Sequence, residues 1–180
     1  MKDKIIVRSM IDEKVFWDFS NFNTFGMSVR NWALAVGFPV FMIAMGIINI
    51  TIRGKASADS GLVLGLAFIA LGIFYPISYY MYYKKTIREQ IKKFNLSTPQ
   101  NFYTCTLDAE GLNVANADSS AACSFEKMWR GYAVKEYVYL FATKKRGFIL
   151  PLADVEGATP EELIAFLKQH LGKRFFDKRK

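Results

Sequence analysis

The chain has 180 residues, 24 Lys and Arg against 16 Asp and Glu, a single His, and an apolar fraction of 52%. One His excludes a metal site built on two, and none of the twelve glycines stands in a Gly-x-Gly, so neither a dinucleotide fingerprint nor a Walker loop can be written. The balance suits one modest domain plus some membrane-buried length.

At the amino terminus Ile5 and Val7 alternate with charged neighbours like an edge strand, and Ile11, Val15, Phe19 and Phe22 share a face of a short helix. Residues 1–30 carry Lys2, Lys4, Arg8, Lys14 and Arg30 with no apolar h-region, so no cleaved signal peptide is expected. Two uncharged stretches follow, residues 31–52 and 60–83. As helices they reach about 33 and 36 Å, against a hydrocarbon core of about 30 Å. Helices of soluble proteins are usually much shorter, so a transmembrane hairpin is expected. Arg53 and Lys55 lie in the connector, whereas Arg30 and the five cations Lys84, Lys85, Arg88, Lys92 and Lys93 flank the other ends. By the positive-inside bias both termini are cytoplasmic. Trp32 and the cluster Tyr75, Tyr79, Tyr80, Tyr82 and Tyr83 suit headgroup level.

Small residues recur at i, i+4 and i+11 in both stretches: Ala33, Gly37 and Ala44, then Gly61, Gly65 and Gly72. Each helix thereby offers a shallow face, and the Gly61 and Gly65 pair serves either packing within the hairpin or a homodimer. Pro39 and Pro76 are expected to kink their helices, and Asn49 to reach interfacial water near the outer end of its span.

A basic helical stalk, residues 84–99, continues the second span, with Ile87, Ile91 and Phe94 at helical spacing and Pro99 ending it. Residues 100–172 then change texture. Six short alternating runs begin at Phe102, Gly111, Ala121, Trp129, Tyr137 and Gly147, separated by turn signals such as Ala109-Glu110-Gly111 and Asp118-Ser119-Ser120. A helix closes the chain, with Thr159 as N-cap, Pro160 at N1, Glu162 completing a capping box, a stripe of Leu163, Ile164, Leu167 and Leu171, and Gly172 as its stop. The expected class is an α+β membrane protein: a two-helix hairpin plus a cytoplasmic antiparallel β-meander of pleckstrin-homology-like (PH-like) outline closed by a carboxy-terminal helix. A simpler α+β sandwich fits the same pattern.

Chemistry-bearing residues are few. His170 falls in the last turn of the closing helix, where a cation complements the dipole. Cys105 and Cys123 lie on expected strands and read as small hydrophobes. Glu161 and Glu162 belong to the helix start, Asp108 and Glu110 to a hairpin turn, and Trp129 to the core. No catalytic residue, cofactor or metal is expected. The cations are the remaining candidates. Lys84, Lys85, Arg88, Lys92 and Lys93 in the stalk, with Lys173, Arg174, Lys178, Arg179 and Lys180 in a basic tail around Phe175 and Phe176, could contact anionic lipid. Lys144, Lys145 and Arg146 form a second candidate, a hairpin loop that could gather a phosphorylated headgroup. No nucleic-acid partner is expected, because the basic runs flank a span and no reader motif accompanies them.

An amino-terminal strand and helix, two spans and a domain carrying Glu110-Gly111-Leu112, Trp129, the run Val134 to Leu140, Leu150-Pro151 and a final helix around Phe166 resemble the bacterial YcxB-like membrane proteins. The resemblance implies a PH-like domain anchored in the bacterial inner membrane and no catalytic residue. The favoured function is a non-enzymatic, membrane-tethered binding or regulatory module that engages a protein or the anionic leaflet. The alternative is a small transporter component or membrane enzyme, which needs ionisable groups within the spans. Tyrosines are the only ones there.

Overall fold

The computed structural model describes residues 4–53, 58–96, 102–116, 119–144 and 146–179. The chain forms two compact units, one from residues up to Phe16 together with those from Asn95 onward, the other Trp17–Phe94.

The first unit begins with β1, Ile5–Met10, in which Ile5, Val7 and Ser9 point inward. Its next strands are β2 (Phe102–Leu107), β3 (Gly111–Ala115) and β4 (Ser120–Ser124), then β5 (Arg130–Ala133), β6 (Tyr137–Phe141) and β7 (Gly147–Pro151). Two short strands, β8 (Val155–Glu156) and β9 (Phe175–Asp177), complete two sheets ordered β4-β3-β2-β1-β8 and β7-β6-β5-β9. The segment before the apolar helices is therefore no edge. All six residues of β1 pair with β2, from Ile5 with Leu107 to Met10 with Phe102, and Ile6 and Val7 also pair with Glu156 and Val155.

A single antiparallel meander does not account for this unit. The antiparallel pairing holds through β1 to β4 and again through β5 to β7, but the two runs belong to different sheets, and β9 joins β5 in parallel. That pairing depends on Gly131, where a Cβ would come within 2.7 Å of Phe175 and 2.8 Å of Leu171. Between β8 and β9 runs the closing helix, Pro160–Leu171, held by the expected capping box: Thr159 accepts from the Glu162 N–H at 3.2 Å, and the Glu162 carboxylate accepts from the Thr159 N–H at 2.7 Å. Leu163, Ile164, Leu167 and Leu171 are buried and share one core with Val7, Cys105 and Leu107 of the first sheet and Val138, Leu140 and Leu150 of the second.

Helix α1, Glu13–Asn21, leads from the first unit into the second. There the first apolar helix, Val29–Ile52, comprises α2 (Val29–Trp32), a wide i→i+5 turn at Ala33–Gly37, α3 (Phe38–Ile48) and another wide turn from Asn49. The turn before Pro39 falls where the ring removes a helical hydrogen bond. The second helix, α4, runs uninterrupted through Pro76 from Ala58 to Lys93, and so includes residues 84–93 of the expected stalk; residues 94–96 form a turn, and the expected stop at Pro99 lies outside the described residues. Ile87 and Ile91 are buried, while Phe94 is exposed.

The two apolar helices pack through glycine, but only one expected stripe takes part. Gly61, Gly65 and Gly72 are buried; Ala33, Gly37 and Ala44 are exposed, and Pro39 and Gly46 take their place. The wide turn rotates the residues after it relative to a 3.6-residue count, which carries Gly37 and Ala44 off the seam. A Cβ on Gly46 would sit 2.6 Å from the Gly65 carbonyl oxygen, and one on Gly65 would sit 2.7 Å from that of Gly46. The Gly65 half of the proposed homodimer motif is thus occupied within the hairpin. Asn49 is also buried, and its Nδ2 donates to the Met45 carbonyl at 2.8 Å.

Two outcomes are expected. Gly46→Ala or Gly65→Ala should lower the melting temperature of the detergent-purified chain, whereas Gly37→Ala, whose Cβ would meet only Ala33 at 4.0 Å, should leave it unchanged or raise it through helix propensity. Equal shifts for all three would refute the seam. Residues 95–180 alone should unfold several kcal/mol more easily than the same segment linked to residues 1–16, because burial of Ile5 and Val7 contributes on the order of 2 kcal/mol each. Coincident denaturant midpoints would refute it.

Candidate functional site

Around the end of the apolar part of α4, aromatic packing decides which face of the helix is free to meet a ligand. Tyr75, Tyr79 and Tyr83 recur at i, i+4 and i+8 and turn inward: Tyr75 meets Phe38 at 5.0 Å, Tyr79 stacks on Tyr75 at 6.2 Å, and Tyr83 packs on Phe25 at 5.4 Å and Trp17 at 5.9 Å between ring centroids. The Tyr83 hydroxyl donates to Asn21 Oδ1 at 2.8 Å. At about 100° per residue, Lys84, Lys85, Arg88 and Lys92 all fall within roughly 100° of arc centred on the opposite side of α4. Lys93 falls on the tyrosine side.

That outward face forms a shallow, open groove of about 690 Å³. Tyr80, Met81 and Tyr82 line one end; Lys84, Lys85, Arg88 and Lys92 line the other, with Glu89 beside Lys85 at 4.0 Å. Tyr80, Met81 and Tyr82 are exposed, so the groove passes along one helix from apolar to cationic surface. The sequence singled out the cations and two of these tyrosines; Met81 and Glu89 join them only through helical spacing.

The basic tail has a different part. It forms a turn at Gly172–Arg174 and then β9. Arg174 donates to the carbonyls of Glu126 at 2.9 Å and Met128 at 2.6 Å, which ties the end of the chain to the loop before β5. Arg179 grips Asp177 through two bonds of 2.9 and 2.8 Å, lies 3.8 Å from Glu161, and holds the Asp177 carboxyl down at about 2. Lys178 lies 5.2 Å from the centre of the Tyr132 ring. Lys173 is exposed, and Lys180 lies outside the described residues. Arg174 and Arg179 thus hold the fold together.

The 144–146 loop shows two of its three cations. Lys144 Nζ is 6.0 Å from the centre of the Trp129 ring, Arg146 closes a turn on Thr143 through its backbone, and Lys145 lies outside the described residues. Trp129 itself is half-buried at the surface and not part of the core. The Arg130 guanidinium sits 4.7 Å from its ring and 5.3 Å from Phe176, and donates to the Tyr132 hydroxyl at 3.2 Å. This stack was hidden in the sequence because Phe176 reaches Tyr132 only through the parallel β5 and β9 pairing.

The remaining candidates are structural. His170 Nδ1 lies 2.9 Å from the Phe166 carbonyl oxygen, with the ring against Phe166 at 4.2 Å and Phe125 at 5.1 Å. Cys105 is buried in the core, and burial pushes its thiol up to about 12. Tyr103 donates to the Ile149 carbonyl at 2.5 Å, and burial raises its phenol as well. Among the described residues, no three His, Cys, Asp or Glu side chains converge as a metal site. Comparison with protein-family models, curated proteins and solved structures finds no match.

The Cys105 environment has a measurable consequence. Its folded value lies above the ordinary 9.0, so its contribution to stability is complete below pH 9 and is lost as pH rises towards 12. Cys105→Ala should flatten the fall in stability between those limits by about one proton in the slope, and in the native chain Cys123 should alkylate well before Cys105. Equal alkylation rates and an unchanged slope would contradict this.

Proposed function

We propose that the chain is an integral membrane protein of the bacterial inner membrane, in which a two-span hairpin tethers a non-enzymatic, PH-like binding or regulatory module related to the YcxB-like proteins. Its module engages a protein or the anionic leaflet. The observation that carries the reading is the exposure of the apolar helices. In the most apolar 18-residue stretch of each, only 17% of residues are buried, whereas a helix in a soluble core is mostly buried. Val40, Phe41, Val63 and Phe74 point outward without a protein partner that would keep them from water. Lipid supplies that cover.

Sheet pairing supports an even number of crossings. Strands β1 and β2 lie before and after the hairpin yet are hydrogen-bonded neighbours, so the chain must leave and re-enter on one side of any bilayer it crosses. The flanking cations favour the cytoplasm as that side. Five antiparallel strands in one sheet, three antiparallel strands and a parallel fourth in the other, and a closing helix support the PH-like reading. Polar groups within the helices support a tether over a transporter: Asn49 and Thr51 hydrogen-bond to carbonyls of their own helix, which leaves the interior without a polar path built from them.

Topology mapping tests the proposal. In a background lacking Cys105 and Cys123, a cysteine at position 56 should react with an impermeant maleimide on intact cells, and one at position 173 only after lysis. Labelling at 173 in intact cells would reverse the orientation; extraction of the chain from membranes by alkaline carbonate would remove the spans.

A further inference from the structure

The outward face of α4 joins three features that a phospholipid combines: an anionic phosphate, an interfacial boundary and an acyl chain. We propose that this groove binds an acidic phospholipid, with the phosphate among Lys84, Lys85 and Arg88 and the upper acyl chain along Tyr80 and Met81. The proposal rests on the membrane reading above and names the partner of that surface.

Axial spacing places the charges at the right depth. With Tyr83 at the hydrocarbon boundary, Lys84 lies within about 2 Å of it, Arg88 about 8 Å beyond it and Lys92 about 14 Å beyond it. The headgroup layer of one leaflet is about 5–8 Å thick, so Lys84, Lys85 and Arg88 occupy it, while the Lys92 backbone lies beyond it and only the long Lys92 side chain can reach back towards it. Arg88 brings a planar fork suited to two phosphate oxygens, and the lysines bring mobile point charges. Glu89 is the groove's one carboxylate, beside Lys85, so the four cations leave a local excess of three. The tyrosine seam on the other side of α4 keeps this face turned outward, since Tyr75, Tyr79 and Tyr83 are held by Phe38, Phe25 and Trp17.

Three other arginines among the described residues are engaged elsewhere. Arg174 and Arg179 are committed to carbonyls and carboxylates, and Arg130 is stacked between two rings. A soluble anion would use the cations but not the exposed Tyr80 and Met81. A headgroup with two phosphates can reach Lys92 as well, so diphosphatidylglycerol should bind more tightly than phosphatidylglycerol, and both more tightly than phosphatidylcholine.

The test is native mass spectrometry of the full detergent-purified chain with an equimolar mixture of those three lipids. Adducts of the acidic lipids should exceed those of phosphatidylcholine by roughly tenfold. The variant K84Q/K85Q/R88Q/K92Q should bring the three to parity, whereas K135Q/K144Q/R146Q/K178Q should retain the preference. Should the glutamine variant fail to fold, the decision falls to the wild-type preference and to K84R/K85R/K92R, which keeps the charge and should keep the preference. Equal adducts of all three lipids on the wild-type chain would overturn the proposal. So would loss of preference in the second variant alone, or displacement of the lipid by excess inorganic phosphate. Failure here is distinct from failure of the membrane reading, since a chain that resists carbonate extraction yet binds all lipids equally is anchored without a lipid site.

Discussion

The pairing of β1 with β2 is the constraint on which the rest of the molecule depends. Two strands separated by more than ninety residues of chain share six register positions, and everything between them must return to its starting place. Two helices of similar apolar length joined by a short connector satisfy that requirement. Removing β1 would leave Val155 and Glu156 without their partner strand and open the core at Val7.

Between the two apolar helices, association relies on close backbone approach and on the absence of side chains in the seam. Gly46 and Gly65 meet backbone to backbone, and Gly72 lets the Pro39 carbonyl approach. The same logic governs charge. A cation close to carbonyl oxygens or a carboxylate, as Arg174 and Arg179 are, contributes to stability; a row of cations on the open side of a helix contributes little to the fold. On α4 the tyrosines separate these roles by turning the row away from the packed side.

Local chemistry was legible in the sequence and distant pairing was not. The start of the closing helix could be read residue by residue, because Thr159, Pro160 and Glu162 act within one turn. Strand runs from Phe102 to Leu152 were visible through alternation, though their division between two sheets was not. The small-residue stripe was read correctly on α4 and wrongly on the first apolar helix, since counting at 3.6 residues per turn fails across a turn that spends an extra residue. Strand β9 was hidden for another reason. Three residues flanked by Lys and Arg look like a solvated terminus until Gly131 opens room for Phe175 beside β5. The cations of the candidate site were evident from composition, but their alignment depends on the tyrosine seam fixing the rotation of α4.

The order in which such a chain can form follows from loop entropy. Closing a flexible segment of about ninety residues to pair β1 with β2 costs several RT, and that cost grows with the logarithm of the length left free. Once each apolar segment is helical and the Gly46–Gly65 seam has closed, most of the intervening residues no longer contribute that freedom. The two ends of the hairpin are then held near each other before a single strand hydrogen bond forms between them. Helix packing precedes sheet closure on this argument, and the seam lowers the entropic barrier to a sheet that contains neither glycine. A lesion at Gly46 thus weakens two structures at once: directly the hairpin, where its Cβ would strike a carbonyl, and indirectly β1, whose pairing with β2 must then be found by a longer free chain.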